Sequence, residues 1–304
     1  MNEHLKNYLS ILETDSPDAA FSVKNTVRKI IPEHIESFNH KEHIRGLLLG
    51  QVQSGKTSQM LGIIASTADV DEGFKVFVVL TTDNMALQQQ TLKRALASMD
   101  TFNICGEHDE MRFLQGGMRK PSLIIIKKNS NILKKWRNVL GSSEIHRGRP
   151  IFLVDDEADA ASLNTLVNKQ EQSAINSHLE AIVKLFTSSI YLQVTATPQS
   201  LFLQTEESGS KPSFVHYFTP GKNYLGGNFF YTRPKPFTNR FTQDDELQIL
   251  LNENFIAEGL KLAIENFLVT AGHLVKSGDS HVCNFLVHPS VRINDHEKIK
   301  NKVV

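Results

Sequence analysis

The sequence predicts an α/β fold with a mostly parallel sheet covered by helices on both faces. Three features carry that expectation: short apolar runs recurring between helix-like stretches, a glycine-rich octapeptide where the first run ends, and an acidic cluster where the fourth ends. The runs are residues 46–49, 74–80, 123–126, 151–154 and 190–194. Each is too short for a helix and rich in Val, Ile, Leu or Phe, as strands buried on both faces are.

In chain order, residues 1–40 read as a polar helical lead-in, with Phe21, Val23, Val27, Ile30 and Ile31 forming a broken apolar stripe before Pro32 interrupts it. Residues 41–205 form the main lobe, where amphipathic stretches at 58–68, 86–98, 131–140 and 174–186 alternate with the runs. Residues 206–244, dense in Gly, Pro, Lys and aromatics, read as an irregular connector. Residues 245–304 then supply a helix to about residue 275 and a last apolar run at 281–287.

Composition narrows the class. The chain has 304 residues, 33 Lys and Arg against 33 Asp and Glu, and 40% hydrophobic residues, so it can bury a real core and carries no global charge claim on nucleic acid. No apolar run approaches the roughly 20 residues of a membrane span, and the N-terminus lacks a secretory pattern, so a cytoplasmic protein without membrane contact is expected. Cys105 and Cys283 have no partner at metal-ligand spacing, and the twelve histidines lack a clustered arrangement.

Gly50-Gln51-Val52-Gln53-Ser54-Gly55-Lys56-Thr57 fits G-x-x-x-x-G-K-[ST], follows a candidate strand and opens a candidate helix. Glycines let backbone N–H groups turn toward an oxyanion, and the helix N-terminus adds its positive dipole end. Lys56 can reach the β/γ-phosphates and the Thr57 hydroxyl can ligate Mg²⁺. Downstream, the run 151–154 ends in Asp155-Asp156-Glu157-Ala158-Asp159. Carboxylates leaving the carboxyl edge of a sheet beside the phosphates suit Mg²⁺ and the attacking water. Asp156 is assigned to Mg²⁺ and Glu157 to water, with Asp155 able to exchange roles with Asp156. Thr195-Ala196-Thr197-Pro198 follows the last strand of the lobe, where Thr195 and Thr197 can hydrogen-bond the acids and couple them to the state of the γ-phosphate.

Taken in this order, GQVQSGKT, VDDEAD and TATP resemble motifs I, II and III of superfamily-two helicases and translocases. More narrowly, the chain resembles the Z-one domain family, which is labelled as an endonuclease. Residues 78–84 with Leu87, Gln90, Thr91 and Arg94 resemble that family's motif Ia, and 126–129 with Leu133 its next strand-loop. Residues 220–226 resemble its connector, and 285–288 the strand opening a second RecA-like lobe.

The resemblance implies a RecA-like P-loop lobe that binds and hydrolyses ATP with Mg²⁺, coupled to DNA, in a bacterial defence or DNA-modification system. Superfamily-two enzymes hold ATP between two such lobes, and the second supplies an arginine finger. Seventeen residues follow Val287 and Arg292 sits too early to be that finger, so the second lobe is expected from elsewhere. A missing finger is worth about 10³–10⁵ in rate, so slow turnover is expected of this chain alone. On the loops beside the nucleotide site, Thr82, Asn84 and Gln90 are polar groups suited to phosphate contacts, and the resemblance adds Lys127, Lys128 and Asn129 as candidate DNA contacts, sequence-independent and salt-sensitive. No nuclease centre is evident, since Pro17-Asp18 is followed by no E-x-K. The alternative from a different class is a nucleotide-switched assembly protein without motor activity.

Overall fold

The computed structural model describes residues 3–71, 73–116, 119–159, 166–202, 211–232, 257–279, 282–290 and 292–303. Seven strands form one sheet: β1 (His43–Leu49), β2 (Val76–Thr81), β3 (Asn103–Cys105), β4 (Ser122–Lys127), β5 (Pro150–Asp156), β6 (Ser188–Thr195) and β7 (Phe214–Tyr217). Their order is β3-β4-β2-β5-β6-β1-β7. Every pairing is parallel, as expected. All strands therefore end at one edge, and the loops that follow β1, β2, β4, β5 and β6 converge there.

The period of a strand divides the core in two. Phe77 and Val79 of β2 join one cluster with Phe152, Val154, Ile190 and Leu192. Val76, Val78 and Leu80 face the opposite cluster with Ile124, Ile126, Ile151 and Leu153. Successive side chains of a strand point to opposite faces, so a run buried throughout needs cover on both. The first cover comes from α1 (Glu3–Asp15), α2 (Pro17–Ile30), α3 (Lys56–Val70) and α4 (Met85–Ser98). The second comes from α5 (Glu110–Gly116), α6 (Ser130–Ser142) and α7 (Leu166–Val183). Trp136 of α6 is fully buried there, its ring 5.7 Å from Phe113 in an edge-to-face contact. It is a core residue and offers no face to a base.

Three segments differ from the sequence expectation. The lead-in is two helices plus a π-helical turn, Ile31–Ile35, that absorbs Pro32, and its Leu5, Tyr8, Val23 and Ile30 belong to the main core. A Cβ on Gly62 of α3 would lie 2.3 Å from Val23, so these helices are in direct contact. Within the expected connector, β7 pairs with β1, Gly46 opposite Phe214 and Leu49 opposite Tyr217. A short helix, α8 (Gln199–Phe202), precedes it. The compact unit accordingly runs from Met1 to Gly226.

A second unit, Gly227–Val304, contains α9 (Glu258–Ser277), capped by Gly278 at φ 79°, and α10 (Ile293–Val303). The part of the expected helix at 245–256 lies outside the described residues. The expected last strand has no regular secondary structure over 282–290, although Phe285 packs on Phe267 of α9 at 5.1 Å. A strand exists only by its ladder, and none of the described residues supplies a partner.

Candidate functional site: a glycine loop facing an acidic loop

The loop after β1 is built around glycines for two separate reasons. Gly55 has φ 93°, a left-handed conformation that side chains disfavour. Gly50 lies so near Phe218 that a Cβ would stand 2.2 Å from its ring. The Gly50 N–H donates to the Thr195 carbonyl at 3.1 Å, tying the start of the loop to the end of β6. Ser54 Oγ donates to the Gln51 carbonyl at 2.6 Å, and Lys56 Nζ lies 3.5 Å from that same oxygen. Gln53 also has positive φ, 54°, rare for a residue with a side chain. Two tyrosines brace the loop from outside: Tyr224 donates to the Val52 carbonyl at 2.5 Å, and Gln51 Nε2 donates to Tyr217 Oη at 2.9 Å.

Helix starts at this edge are not treated alike. Asn84 caps α4 through the N–H groups of Ala86 and Leu87, and Asn129 caps α6 through those of Asn131 and Ile132. At α3 the cap position is Gly55, and no side chain closes the first turn. The leading N–H groups of α3 are thus left for an external acceptor, with Lys56 and Thr57 at their head.

The acidic loop leaves β5, separated from β1 by β6 alone. Asp155 is buried, 6% exposed; its Oδ2 accepts from Tyr191 Oη at 2.7 Å and its Oδ1 lies 2.8 Å from Lys128 Nζ. Burial, then the neighbouring Glu157 carboxylate, push the Asp156 carboxyl up to about 6, while Lys56 and Lys128 act in the opposite direction. That Lys56 influence puts the P-loop cation and Asp156 in one electrostatic neighbourhood. Glu157 adopts φ 53°. The final acid of the cluster, Asp159, accepts from the hydroxyls of both Thr195 and Thr197. Burial pushes its carboxyl up, but these two hydroxyls and its backbone hydrogen bond outweigh that and leave it below the ordinary range.

The residues suit a magnesium-bound triphosphate. Asp156 and Glu157 are adjacent carboxylates whose mutual repulsion a divalent cation would relieve. Among the described residues no group of three or more His, Cys, Asp and Glu makes a self-sufficient metal cage. Mg²⁺ typically takes one or two carboxylates and completes its shell with substrate phosphates and water, which matches this sparse set. Beside the loop lies a cavity of about 270 Å³ lined in part by Gln53, Gly55, Gln59, Asp18 and Tyr224. Gln59 Oε1 and Asp18 Oδ2 are buried there without a hydrogen-bond partner.

The candidate nucleic-acid residues sit on neighbouring loops, mostly engaged within the chain. Lys127 Nζ lies 3.3 Å from Asp83, and Asn129 Nδ2 donates to Asp83 at 3.4 Å. Asn84 and Asn129 spend their side-chain oxygens on helix caps. Gln90 is exposed, Thr82 Oγ1 is buried, and Lys128 is turned toward the acids. Sequence reasoning assigned no role to Tyr191, Asp159, Asp83, Tyr217, Asp18 or Gln59. For Asp159 a signal existed, its place in VDDEAD; the others depend on which strands and helices are neighbours.

The architecture is an all-parallel α/β sheet with the glycine loop after one strand and the acids after another two places away. No helix among the described residues is long and apolar enough to cross a membrane. No protein-family model and no curated protein matches the sequence. Solved structures similar to it include Mss116p bound to ssRNA and AMP-PNP, at 14% identity and TM-score 0.40 over 71% of this chain and 45% of that one. The Type ISP restriction-modification enzyme LlaGI with a DNA substrate mimic is similar at 15% identity and TM-score 0.42, over 83% of this chain and 24% of that one. The Hef helicase domain of Pyrococcus furiosus is similar at 14% identity and TM-score 0.40, over 90% of this chain and 52% of that one. The chain thus spans between 24% and 52% of the length of these three proteins.

Proposed function

We propose that this chain is the ATP-binding and hydrolysing lobe of a nucleic-acid-dependent motor of the helicase or translocase type. One observation carries the proposal: an uncapped helix start with Lys56 and Thr57 opposes Asp156 and Glu157 across a single intervening strand. When bound, Mg²⁺ would supply positive charge beside the transferring phosphoryl group. The N–H groups of α3 and Lys56 would hold the phosphates, Thr57 and Asp156 would hold the metal, and Glu157 would accept a proton from water. Asp159, through Thr195 and Thr197, joins the acidic loop to the end of β6, the route by which the nucleotide state reaches the rest of the lobe.

The cavity beside the loop suits the nucleoside, because the partnerless acceptors Asp18 Oδ2 and Gln59 Oε1 match an exocyclic amine such as that of adenine. Exposed Gln90 and the loops after β2 and β4 are the proposed DNA-facing surface. From the Z-one resemblance we place the protein in a bacterial defence or DNA-modification system in the cytoplasm. A second RecA-like lobe, on the same polypeptide or a partner, would supply the arginine for full turnover.

The test is nucleotide binding and hydrolysis by the chain and by Lys56→Ala, with and without DNA or RNA. DNA-stimulated hydrolysis lost in Lys56→Ala supports the motor. Nucleotide-dependent assembly with no response to nucleic acid supports a switch instead, and absence of nucleotide binding refutes both.

A further inference from the structure

Lys128 lies in the loop after β4, where a solvent-facing lysine would suit a phosphate backbone, yet its side chain is only 11% exposed. Its ammonium is 2.8 Å from Asp155 Oδ1 and donates at 3.0 Å to each of the carbonyls of Asp156 and Glu157. The ammonium thus meets one carboxylate as an ion pair and makes hydrogen bonds to two main-chain carbonyls. The lysine is itself anchored, its backbone N–H donating to Thr81 at the end of β2 at 2.8 Å. Neutralising a buried aspartate needs only the first contact. The other two go to the main chain of the residues proposed for metal and water, one of which, Glu157, has φ 53°. A side chain in that region persists where its surroundings over-determine it, and Lys128 is one such surrounding.

We infer that Lys128 is a positioning residue for the hydrolytic centre, strapping the backbone of the acidic loop so that the carboxylates of Asp156 and Glu157 stay directed at the nucleotide. The inference rests on the proposed function and deepens it. Lys127 and Asn129 on either side bind Asp83 of the loop after β2, so a ligand that moves those two loops moves the strap.

The experiment measures affinity for a fluorescent ATP analogue across a Mg²⁺ titration, together with ATP turnover, for the wild-type chain, Lys128→Met and Lys128→Arg. Loss of a group that orients a metal ligand commonly costs about 10–100-fold in metal affinity or activity, so Lys128→Met is expected to raise the half-saturating Mg²⁺ and lower kcat by that factor. Its affinity for the analogue without Mg²⁺ stays within about threefold of wild type, which a general loss of structure would not allow. Lys128→Arg keeps the charge beside Asp155, but its planar fork cannot reach all three acceptors, so its effect is intermediate. A Lys128→Met chain whose Mg²⁺ requirement and kcat stay within about threefold of wild type overturns the inference, whatever happens to DNA affinity. If circular dichroism shows that variant unfolded, Lys128→Arg decides, and wild-type values there overturn it. A wild-type chain that fails to bind the analogue refutes the proposed function itself, a result distinct from any difference between variants.

Discussion

The glycine loop after β1 and the acidic loop after β5 share one edge of one sheet and are held in opposite ways. The first is shaped by what is missing: no Cβ at Gly50 or Gly55 and no side-chain cap on α3, with Tyr217 and Tyr224 bracing it from outside. The second is shaped by what is added, with Lys128, Tyr191, Thr195 and Thr197 fastening its acids and carbonyls. The difference follows from charge. A loop that binds an anion through N–H groups must keep them vacant, whereas clustered carboxylates must be held against their own repulsion.

The sharpest way to break this comparison is Glu157→Gln, which keeps shape and removes the proton acceptor. A positioned general base contributes about 10²–10⁴ in rate, so kcat should fall by that factor with nucleotide affinity nearly unchanged in a binding titration. Next comes Lys56→Ala on the other loop. Charge-assisted phosphate contacts are worth about 1.5–3 kcal/mol each, so calorimetry should show ATP binding weakened by at least about tenfold.

Asp156→Asn sharpens the contrast through stability. The carboxyl is raised from its ordinary 3.8 to about 6, so in the wild type its contribution is fully present below pH 4 and is lost as pH rises through 6. At about 1.36 kcal/mol per unit, the nucleotide-free Asn variant should be more stable at pH 8 by about 2–3 kcal/mol and no more stable at pH 4. Urea melts at the two pH values check this, and equal differences at both would refute it. The smallest effect is expected from Tyr224→Phe, which removes one brace from the glycine loop. One hydrogen bond of this kind contributes about 1 kcal/mol, seen as a several-fold loss of nucleotide affinity or a small drop in Tm.

Legibility in the sequence followed locality. The glycine-rich motif is one contiguous octapeptide, and the acids after β5 are likewise contiguous. β7 escaped notice because it is four residues long at a sheet edge, among glycines and prolines that read as connector. The lead-in reads as helical, but its broken apolar stripe does not say that these helices cover the main core. Lys127, Lys128 and Asn129 looked alike as polar loop residues, yet one pairs with Asp83, one turns inward to the acids and one caps α6.

By itself the chain of residues determined the glycine-rich octapeptide, the acid pair, and the alternation of buried runs and helices that makes a parallel sheet. Only the tertiary structure decided that β6 alone separates the two loops, that Tyr191 and Lys128 reach Asp155, and that Asp159 meets Thr195 and Thr197. The reason is physical. Period and composition are properties of neighbours along the backbone, whereas these contacts join residues 27 to 38 positions apart and exist only once strand order is chosen.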